Sequence, residues 1–479
     1  MLFANNFRTL DECDRIILFA RFEVKVAIAG ASGFVGKALI KELQGHHEVV
    51  ALSRSSKKDS GDGIEWRSCD LFSLLDAEKA LQGCDVAVYL VHSMRPSAQL
   101  TQGTFEDFDL IVADNFVRAA ETCGVKRIFY LGGMCPENSQ EMSRHLRSRL
   151  EVEGIFKTSR ILATILRAAV ILGPEGSSFH IMTRLVERLP VMVCPKWTST
   201  LSQPVALRDV VRSLRYCIET AETQNHIYDI GGPDVISYLD MMKMIARMQG
   251  LKRKLLPIPF LSPNLSTLWV CLVTGAPKAL VAPLVEGLRS TLLVSDKRRL
   301  EIPGYRFMPV AEALEEALSE FTEKKTPLAF QKSPLGSYEV RSVQRLLIPE
   351  GVTADEVAHA YMEFLPSMRP GLMKVEVSGR WVNFCWSFPY VRLLILEYSP
   401  ERSWSHRQLF YVRGGLLAQK TVRGRLEFRE TLGGKAVIAA IHEFKPRMPW
   451  FLYRWTQALF HIWVMRQFGL YLNRPKSAR

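Results

Sequence analysis

The sequence is poor in the features that mark several broad protein classes. Its nine cysteines, at 13, 69, 84, 123, 135, 194, 217, 271 and 385, are odd in number and form no C-x-x-C pair. That speaks against a disulfide framework or a zinc knuckle and fits a reducing cytoplasm. No window holds a continuous apolar run long enough to span a bilayer. The longest uncharged stretch, Leu255 to Pro277, is broken by Pro257, Pro259 and Pro263 and reads as a loop followed by a short buried helix. At the start, Asp11, Glu12, Asp14 and Arg15 precede the short run Ile16 to Ala20, without the basic start and long apolar centre of a secretion signal. Internal repeats, low-complexity tracts and metal-ligand spacings are missing as well, so no metal site is expected.

What is present is a chain of 479 residues, 48% hydrophobic and 23% charged, which are globular proportions and enough length for two or three domains. Charge is uneven. Residues 336–479 carry 21 Lys+Arg against 11 Asp+Glu, net +10, and six of the nine tryptophans. The remainder is net +3, from 41 against 38. The shift, with the Pro- and Lys-containing stretch from Glu323 to Gly336, divides the chain into an extension at 1–22, a first unit at 23–325, a linker at 326–336 and a second unit at 337–479.

In the first unit, Val24 to Ala29 reads as a buried strand, and Leu39, Ile40 and Leu43 have helical spacing. Between them lies Gly30-Ala31-Ser32-Gly33-Phe34-Val35-Gly36. Gly30 permits the tight bend, Gly33 lets backbone approach a pyrophosphate, and Gly36 allows close packing of helix on strand, with the helix N-terminus facing the phosphates. A second strand, Val49 to Leu52, follows at the distance a dinucleotide-binding unit requires. Where NAD recognition would place an acid, the chain has Ser53-Arg54-Ser55-Ser56-Lys57-Lys58. A guanidinium and hydroxyls suit a 2'-phosphate, favouring NADP(H) over NAD(H), while the plainer alternative is a solvated basic loop. Further strands at Val86–Val91, Arg127–Leu131 and Thr164–Leu166, with helices near 105–122 and 142–158, make the fold class α/β, a doubly wound parallel Rossmann sheet. The carboxyl ends of its strands nominate Val91, His92 and Gly132 to Met134 as cofactor neighbours.

On Gly30-x-x-Gly33-x-x-Gly36, Leu52-Ser53-Arg54, Cys69-Asp70-Leu71, Leu90-Val91-His92-Ser93, Leu166-Arg167, Gly173-Pro174, Asp209, Gly231-Gly232-Pro233 and Leu256 to Pro259, the first unit resembles the NmrA-like atypical short-chain dehydrogenase/reductases. The resemblance implies that Asp70 sits by the adenine and that residues after about 170 form a small substrate-facing subdomain. It also implies a Tyr-x-x-x-Lys pair and a Ser, from which this sequence departs. His145 stands at the tyrosine position, Arg149 at the lysine position, and Gly132 or Gly133 at the serine position. His145 is then a candidate proton donor and Arg149 a candidate holder of a ribose or phosphate oxygen. The alternative is a solvated basic helix face formed by His145, Arg147 and Arg149.

The second unit begins with a strand pattern at Tyr338–Leu346, then a capping box, Thr353-x-x-Glu356, ahead of a helix. Alternating strands follow at Met373–Ser378, Val391–Tyr398, Arg407–Val412, Val422–Glu430 and, past a Gly433-Gly434 turn, Lys435–Ala440. An aromatic helical pattern runs from Trp450 to about Tyr471. This order resembles the helix-grip fold of START-like and polyketide-cyclase-like proteins, an α+β arrangement that implies an apolar ligand beneath the last helix. The aromatics could equally fill a core, or the basic, Trp-rich unit could lie on a membrane surface. Basic residues interleaved with carboxylates argue against nucleic acid. The expectation is an NADP(H)-binding oxidoreductase-like protein acting on a hydrophobic carbonyl or enone, or else a non-catalytic NADP(H)-responsive binding protein. It would be cytoplasmic, with peripheral contact at the inner face of a membrane as an option; oligomeric state is not legible.

Overall fold

Uninterrupted apolar runs become strands buried on both faces, and here they build a parallel sheet covered by helices on each side. The computed structural model describes residues 24–54, 63–92, 100–136, 142–258, 263–324 and 339–474. The extension 1–22, Ser55 to Lys58, Ser93, the linker 326–336 and Tyr338 lie outside these. In chain order the first unit contains β1 (Lys25–Ala29), α1 (Phe34–Leu43), β2 (Glu48–Ser53), β3 (Ile64–Ser68), α2 (Leu74–Leu81), β4 (Val86–Tyr89) and β5 (Leu100–Gln102). Then come α3 (Phe105–Thr122), β6 (Arg127–Gly133), α4 (Arg144–Thr158) and β7 (Leu162–Ala168).

The chain continues through β8 (Ile171–Leu172), α5 (Ser177–Arg188), β9 (Val191–Pro195), β10 (Leu201–Ser202), β11 (Val205–Ala206), α6 (Leu207–Glu219), β12 (Ile227–Ile230) and β13 (Ile236–Ser237). It closes with α7 (Tyr238–Met248), β14 (Lys254–Ile258), α8 (Pro263–Thr274), α9 (Lys278–Gly287) and α10 (Val310–Lys324). The main sheet has the order β12-β7-β6-β4-β1-β2-β3 with every neighbour parallel. Strand order reverses between β1 and β4, which opens a crevice at their carboxyl ends. That is the doubly wound α/β sheet expected from the periodicity.

After β7, α6 and β12 return to the main sheet, whereas α5 and α7 to α10 form a smaller subdomain around Phe179, Met182, Met241 and Val281. Here the reading of Leu255 to Pro277 as loop plus buried helix needs correction. Lys254–Ile258 is a strand paired with β9, and α8 is buried on one side only, with Leu265, Leu268 and Leu272 exposed. The lack of charge in that stretch hid its surface position. No helix among the described residues is long and apolar enough to cross a membrane.

The second unit comprises β15 (Val340–Leu347), α11 (Ala354–Ser367), β16 (Met373–Ser378), β17 (Trp381–Ser387), β18 (Tyr390–Tyr398), β19 (Arg407–Gly414), β20 (Arg425–Thr431), β21 (Ala436–Phe444), α12 (Trp450–Trp455) and α13 (Gln457–Leu472). The capping box forms: Thr353 accepts from the Glu356 amide while the Glu356 carboxylate accepts from the Thr353 amide. Strand order is β16-β17-β18-β19-β20-β21-β15, antiparallel throughout, and β5 of the first unit adds an eighth strand parallel to β15. One face of this sheet packs on α11 and α13. Beneath α13 the rings of Tyr361, Phe364, Phe428 and Phe468 touch one another, so at that place the aromatics serve as core. The terminal helical stretch, expected as one continuous element, breaks at Thr456, whose φ of −123° and ψ of −84° lie outside helical values.

The break in composition at Gly336 is not a break in packing. Alternation along β20 sends Leu426 and Phe428 to the α11/α13 side and Arg425, Glu427 and Arg429 to the other, where all three are buried against the first unit. Arg429 Nη1 donates to Asp114 Oδ2 and Asn115 Oδ1 of α3, each at 2.6 Å. Arg345 spans two helices, with Nε 2.7 Å from Asp107 Oδ1 and its terminal nitrogens 2.9 and 3.0 Å from the Glu151 carboxylate. Val343, Ile438 and Ala440 share one apolar cluster with Phe108 and Ile111 of α3. The layer α2/α3 is thus held between two sheets.

Candidate functional site

The glycine loop has the geometry that its spacing predicts. Gly30 has φ +88°, a left-handed value that other residues adopt at a cost, and a Cβ there would meet the Leu90 carbonyl oxygen at 3.1 Å. A Cβ on Gly36 would fall 2.3 Å from the Gly30 carbonyl oxygen, so only glycine lets α1 pack this close. The N-cap of α1 is Gly33, which supplies no side-chain acceptor. The first amides of α1 therefore remain available to a phosphate. Ser32 and Val35 flank this turn. Phe34 acts elsewhere, its ring filling the space where Gly173 would carry a Cβ, 2.7 Å away, and so tying the loop to the turn before α5. These residues fit a dinucleotide, and the fit rests on a cradle that a methyl group would close. At the end of β2, Ser53 is buried and Arg54 is exposed.

Asp70 follows β3. Its carboxylate pairs with Arg341 of the second unit and accepts from the Phe72 amide at 3.2 Å. The two units therefore meet beside the residue expected near the adenine.

The main cluster stands past β4. Asp109, fully buried on α3, receives the Arg149 guanidinium, Ser148 Oγ at 3.0 Å and His92 Nδ1 at 3.0 Å. His92 Nε2 lies 3.2 Å from His145 Nδ1. Arg149 also donates to the Val91 carbonyl oxygen at 3.4 Å, while Tyr130 Oη donates to the Arg149 carbonyl oxygen at 3.2 Å. Five residues nominated by the sequence, Val91, His92, Gly133, His145 and Arg149, thus come together. Gly133 is explained by its neighbours: a Cβ would sit 3.3 Å from Arg149 Cγ, so the arginine stem occupies the room a serine would need. At Gly132 a Cβ would press on the Tyr130 ring at 2.8 Å.

Two expectations change. The charge of Arg149 is met by Asp109, with Nη1 turned to the Val91 carbonyl oxygen, while its Nε has no partner among the described residues. Burial works against its charge, but Asp109 outweighs burial and holds the pKa above the usual arginine value. His145 is held neutral and lacks the second proton of an imidazolium. Burial first, then His92 and Arg149, lower its pKa to about 3, and His92 is lowered by burial and by Arg149. Both rings are neutral at neutral pH. A carboxylate beside a charged arginine only accepts, so His92 donates through Nδ1 and accepts through Nε2 from His145 Nδ1–H. The network assigns the bare nitrogen of His145 to Nε2. It is a hydrogen-bond acceptor.

Sequence reasoning missed Asp109, Ser148 and Tyr130. For Asp109 a signal exists: it shares a helical face with Val112, Ala113 and Phe116, all buried, where the 3.6-residue period expects an apolar side chain. A carboxylate on such a face needs a cation from elsewhere.

The subdomain holds an apolar cavity of about 70 Å³ between α5, β9, α7, α8 and α9, lined by Met182, Cys194, Met242, Trp269 and Val285 among others. Two polar atoms in its wall, Trp197 Nε1 and Ser266 Oγ, are buried without a partner among the described residues. The last turn of α9 approaches the N-cap of α4: a Cβ on Gly287 would lie 3.9 Å from Ser143 Oγ, two residues before His145.

Residues 30–187 match a protein family described as NAD(P)H-binding, and this part of the chain is an NAD(P)H-binding domain. Over 116 residues, 24% of this chain, the sequence is 34% identical to the auxiliary protein GraX of Staphylococcus aureus and spans 38% of that relative's length. It is 21% identical over 248 residues, half of this chain, to the mitochondrial NADH dehydrogenase [ubiquinone] 1 alpha subcomplex subunit 9 of Arabidopsis thaliana, spanning 61% of that protein. Among solved structures it is similar to the NADPH-dependent quinone oxidoreductase QOR2 of Escherichia coli complexed with NADPH, at 18% identity and a TM-score of 0.50. That likeness covers 61% of this chain and 99% of that one and concerns the fold.

Proposed function

We propose that the protein is an NADP(H)-dependent oxidoreductase of the NmrA-like atypical short-chain type, reducing an apolar, conjugated carbonyl compound such as an enone or quinone. The observation that carries this reading is the Asp109–His92–His145 chain at the carboxyl end of β4, which holds His145 neutral with its ring proton turned to His92, while α9, which lines the apolar cavity, reaches the N-cap of the helix that carries His145. When bound, the reduced nicotinamide supplies hydride. The glycine loop and the α1 N-terminus would hold its pyrophosphate, Ser53 and Arg54 its 2'-phosphate.

The residues of this chain then restrict the acceptor. Reduction of a simple ketone leaves an alkoxide, a strong base that needs a resident acid. A quinone or enone leaves a phenolate or enolate; a phenol of the tyrosine kind has a pKa of about 10, so water can protonate its anion without an enzymic acid. His145 Nε2, as an acceptor, orients a hydroxyl of substrate or ribose, and Arg149 and Asp109 fix the tautomers. Trp197 Nε1–H and Ser266 Oγ–H are the donors left for an oxygen of the ligand. The fold neighbour from Escherichia coli, a quinone oxidoreductase by name, agrees with this class.

A second reading is favoured by the Arg341–Asp70 pair. It makes the protein a non-catalytic NADP(H)-responsive binding protein whose second unit, a helix-grip fold of the START-like kind, holds an apolar ligand. Supporting that fold are the strand order with β15 beside β21 and the packing of α11 and α13 on one sheet face. One experiment separates the readings: NADPH oxidation measured with apolar quinones, enones and saturated ketones, beside a direct NADPH titration. Turnover of the conjugated compounds alone supports the enzyme. Tight NADPH binding without turnover of any of them supports the second reading, and turnover of saturated ketones at equal rate would refute the argument from His145.

A further inference from the structure

Residues 445–479 contain seven Lys and Arg and no Asp or Glu. Over this acid-free stretch α12 and α13 turn only one side toward the protein. Tyr453, Ala458, Val464, Met465, Phe468 and Leu472 are buried, whereas Phe451, Trp455, Leu459, Phe460, Trp463 and Leu470 stand in solvent, Phe451 being 72% and Trp455 69% exposed. Phe451 and Trp455 are one turn apart on α12, and beyond the break at Thr456 positions 459, 463 and 470 of α13, at spacings of four and seven, lie along one side of that helix. The rings of Phe460 and Trp463 are 5.6 Å apart, which makes the surface contiguous across that side.

At roughly 200 Å² per side chain the exposed apolar area is on the order of 700 Å², above the 300–600 Å² of the largest patch on an ordinary monomer. Cations edge it. Arg447, Arg454 and Arg466 are exposed, and the Arg454 guanidinium lies 5.5 Å from the Trp455 ring centre. A protein partner is ordinarily met by a rim of both signs. A Trp- and Phe-rich stripe bordered by arginines, in a stretch without acids, matches the boundary between anionic headgroups and acyl chains.

We propose that the outward side of α12 and α13 docks on an anionic lipid bilayer, with Trp455, Phe460 and Trp463 entering the headgroup–acyl boundary and Arg447, Arg454 and Arg466 meeting lipid phosphates. The two helices lie on the surface; neither crosses it. Nothing in this proposal depends on turnover at His145.

The test sediments the full chain with vesicles of phosphatidylcholine alone and with added phosphatidylglycerol, at low salt and at about 1 M salt, where the Debye length falls to roughly 3 Å. Binding to the anionic vesicles is expected, weakened by salt. The double variant Trp455→Ser/Phe460→Ser should bind at least about tenfold less, since two aromatic side chains no longer leave water. Arg454→Glu/Arg466→Glu should remove the preference for anionic lipid. All four side chains are exposed, so urea midpoints should match the parent and exclude misfolding as the cause. The proposal fails if the parent binds neither vesicle, if the aromatic variant binds as well as the parent, or if light scattering shows a dimer that the same aromatic substitutions dissociate.

Discussion

Replacing Asp109 by asparagine keeps the shape of the side chain and removes the negative charge that faces the buried Arg149. Asp109 is fully buried and the Arg149 side chain is 7% exposed, so water cannot take the place of the lost partner. Leaving a buried charge unpaired costs about 3–5 kcal/mol. That is a large part of the roughly 5–15 kcal/mol by which a folded domain is stable. Arg149→Met alone leaves the buried carboxylate without its cation and should cost a similar amount. The double variant Asp109→Asn/Arg149→Met carries neither charge, so its loss should fall short of the sum of the single losses by about 1–3 kcal/mol. The assay is urea unfolding of the four proteins with NADPH titration of each. A second consequence distinguishes this network from a plain salt bridge. The asparagine carbonyl oxygen can still accept from Arg149, Ser148 and His92, which all meet the Oδ2 position, but without the negative charge it holds His92 Nδ1–H, and through it His145, less firmly. Turnover should then fall even where NADPH affinity is retained, because the acceptor at His145 Nε2 is less firmly oriented. Additive stability losses, or turnover unchanged in Asp109→Asn, would refute the reasoning.

Stability should also fall as pH drops below about 6.5, the ordinary histidine value. His145 and His442 are held to about 3 and His461 to about 4, in each case first by burial, so they are neutral when folded and take up protons on unfolding. Their contribution is present above about 6.5 and is lost toward pH 3–4, at about 1.4 kcal/mol per pH unit for each group; urea midpoints between pH 7 and 5 measure it, and a flat profile would contradict it. Arg54→Glu should cost on the order of 1.5–3 kcal/mol in NADPH affinity and far less for NADH, and equal affinities of the parent for the two would remove the basis for that expectation. A fragment of residues 337–479 should aggregate or stay unfolded, because Arg425, Glu427, Arg429 and the Val343/Ile438/Ala440 surface lose the α3 layer that covers them. Its folding cooperatively in isolation would show that the interface is dispensable.

The dinucleotide domain was readable in the chain because its requirements are local. Gly33 and Gly36 answer to distances within one turn and Gly30 to its own φ, and β1, β2, β4, β6 and β7 announce themselves by apolar runs, whereas β3 and β5, which have none, went unread. The departure from Tyr-x-x-x-Lys at His145 and Arg149 could be seen, but not its meaning. A histidine's protonation and a guanidinium's availability depend on what lies within a few ångströms, and Asp109 and His92 arrive there from 36 to 57 residues away.

The same division holds in the second unit. Alternation along Val422 to Glu430 marked a strand, and the Thr353/Glu356 pair marked a helix start, since both are set by neighbours in sequence. Which side of that strand faced water was not marked: an Arg–Glu–Arg face reads as solvated until Asp114 and Asn115 are brought against it. For the terminal helices the composition left core and surface both open, and the fold has core enough for one side only. Period and composition fix which surfaces an element offers; only the packed chain decides which of them meet protein and which are left to something else, because burial is a property of pairs of surfaces and not of either one alone.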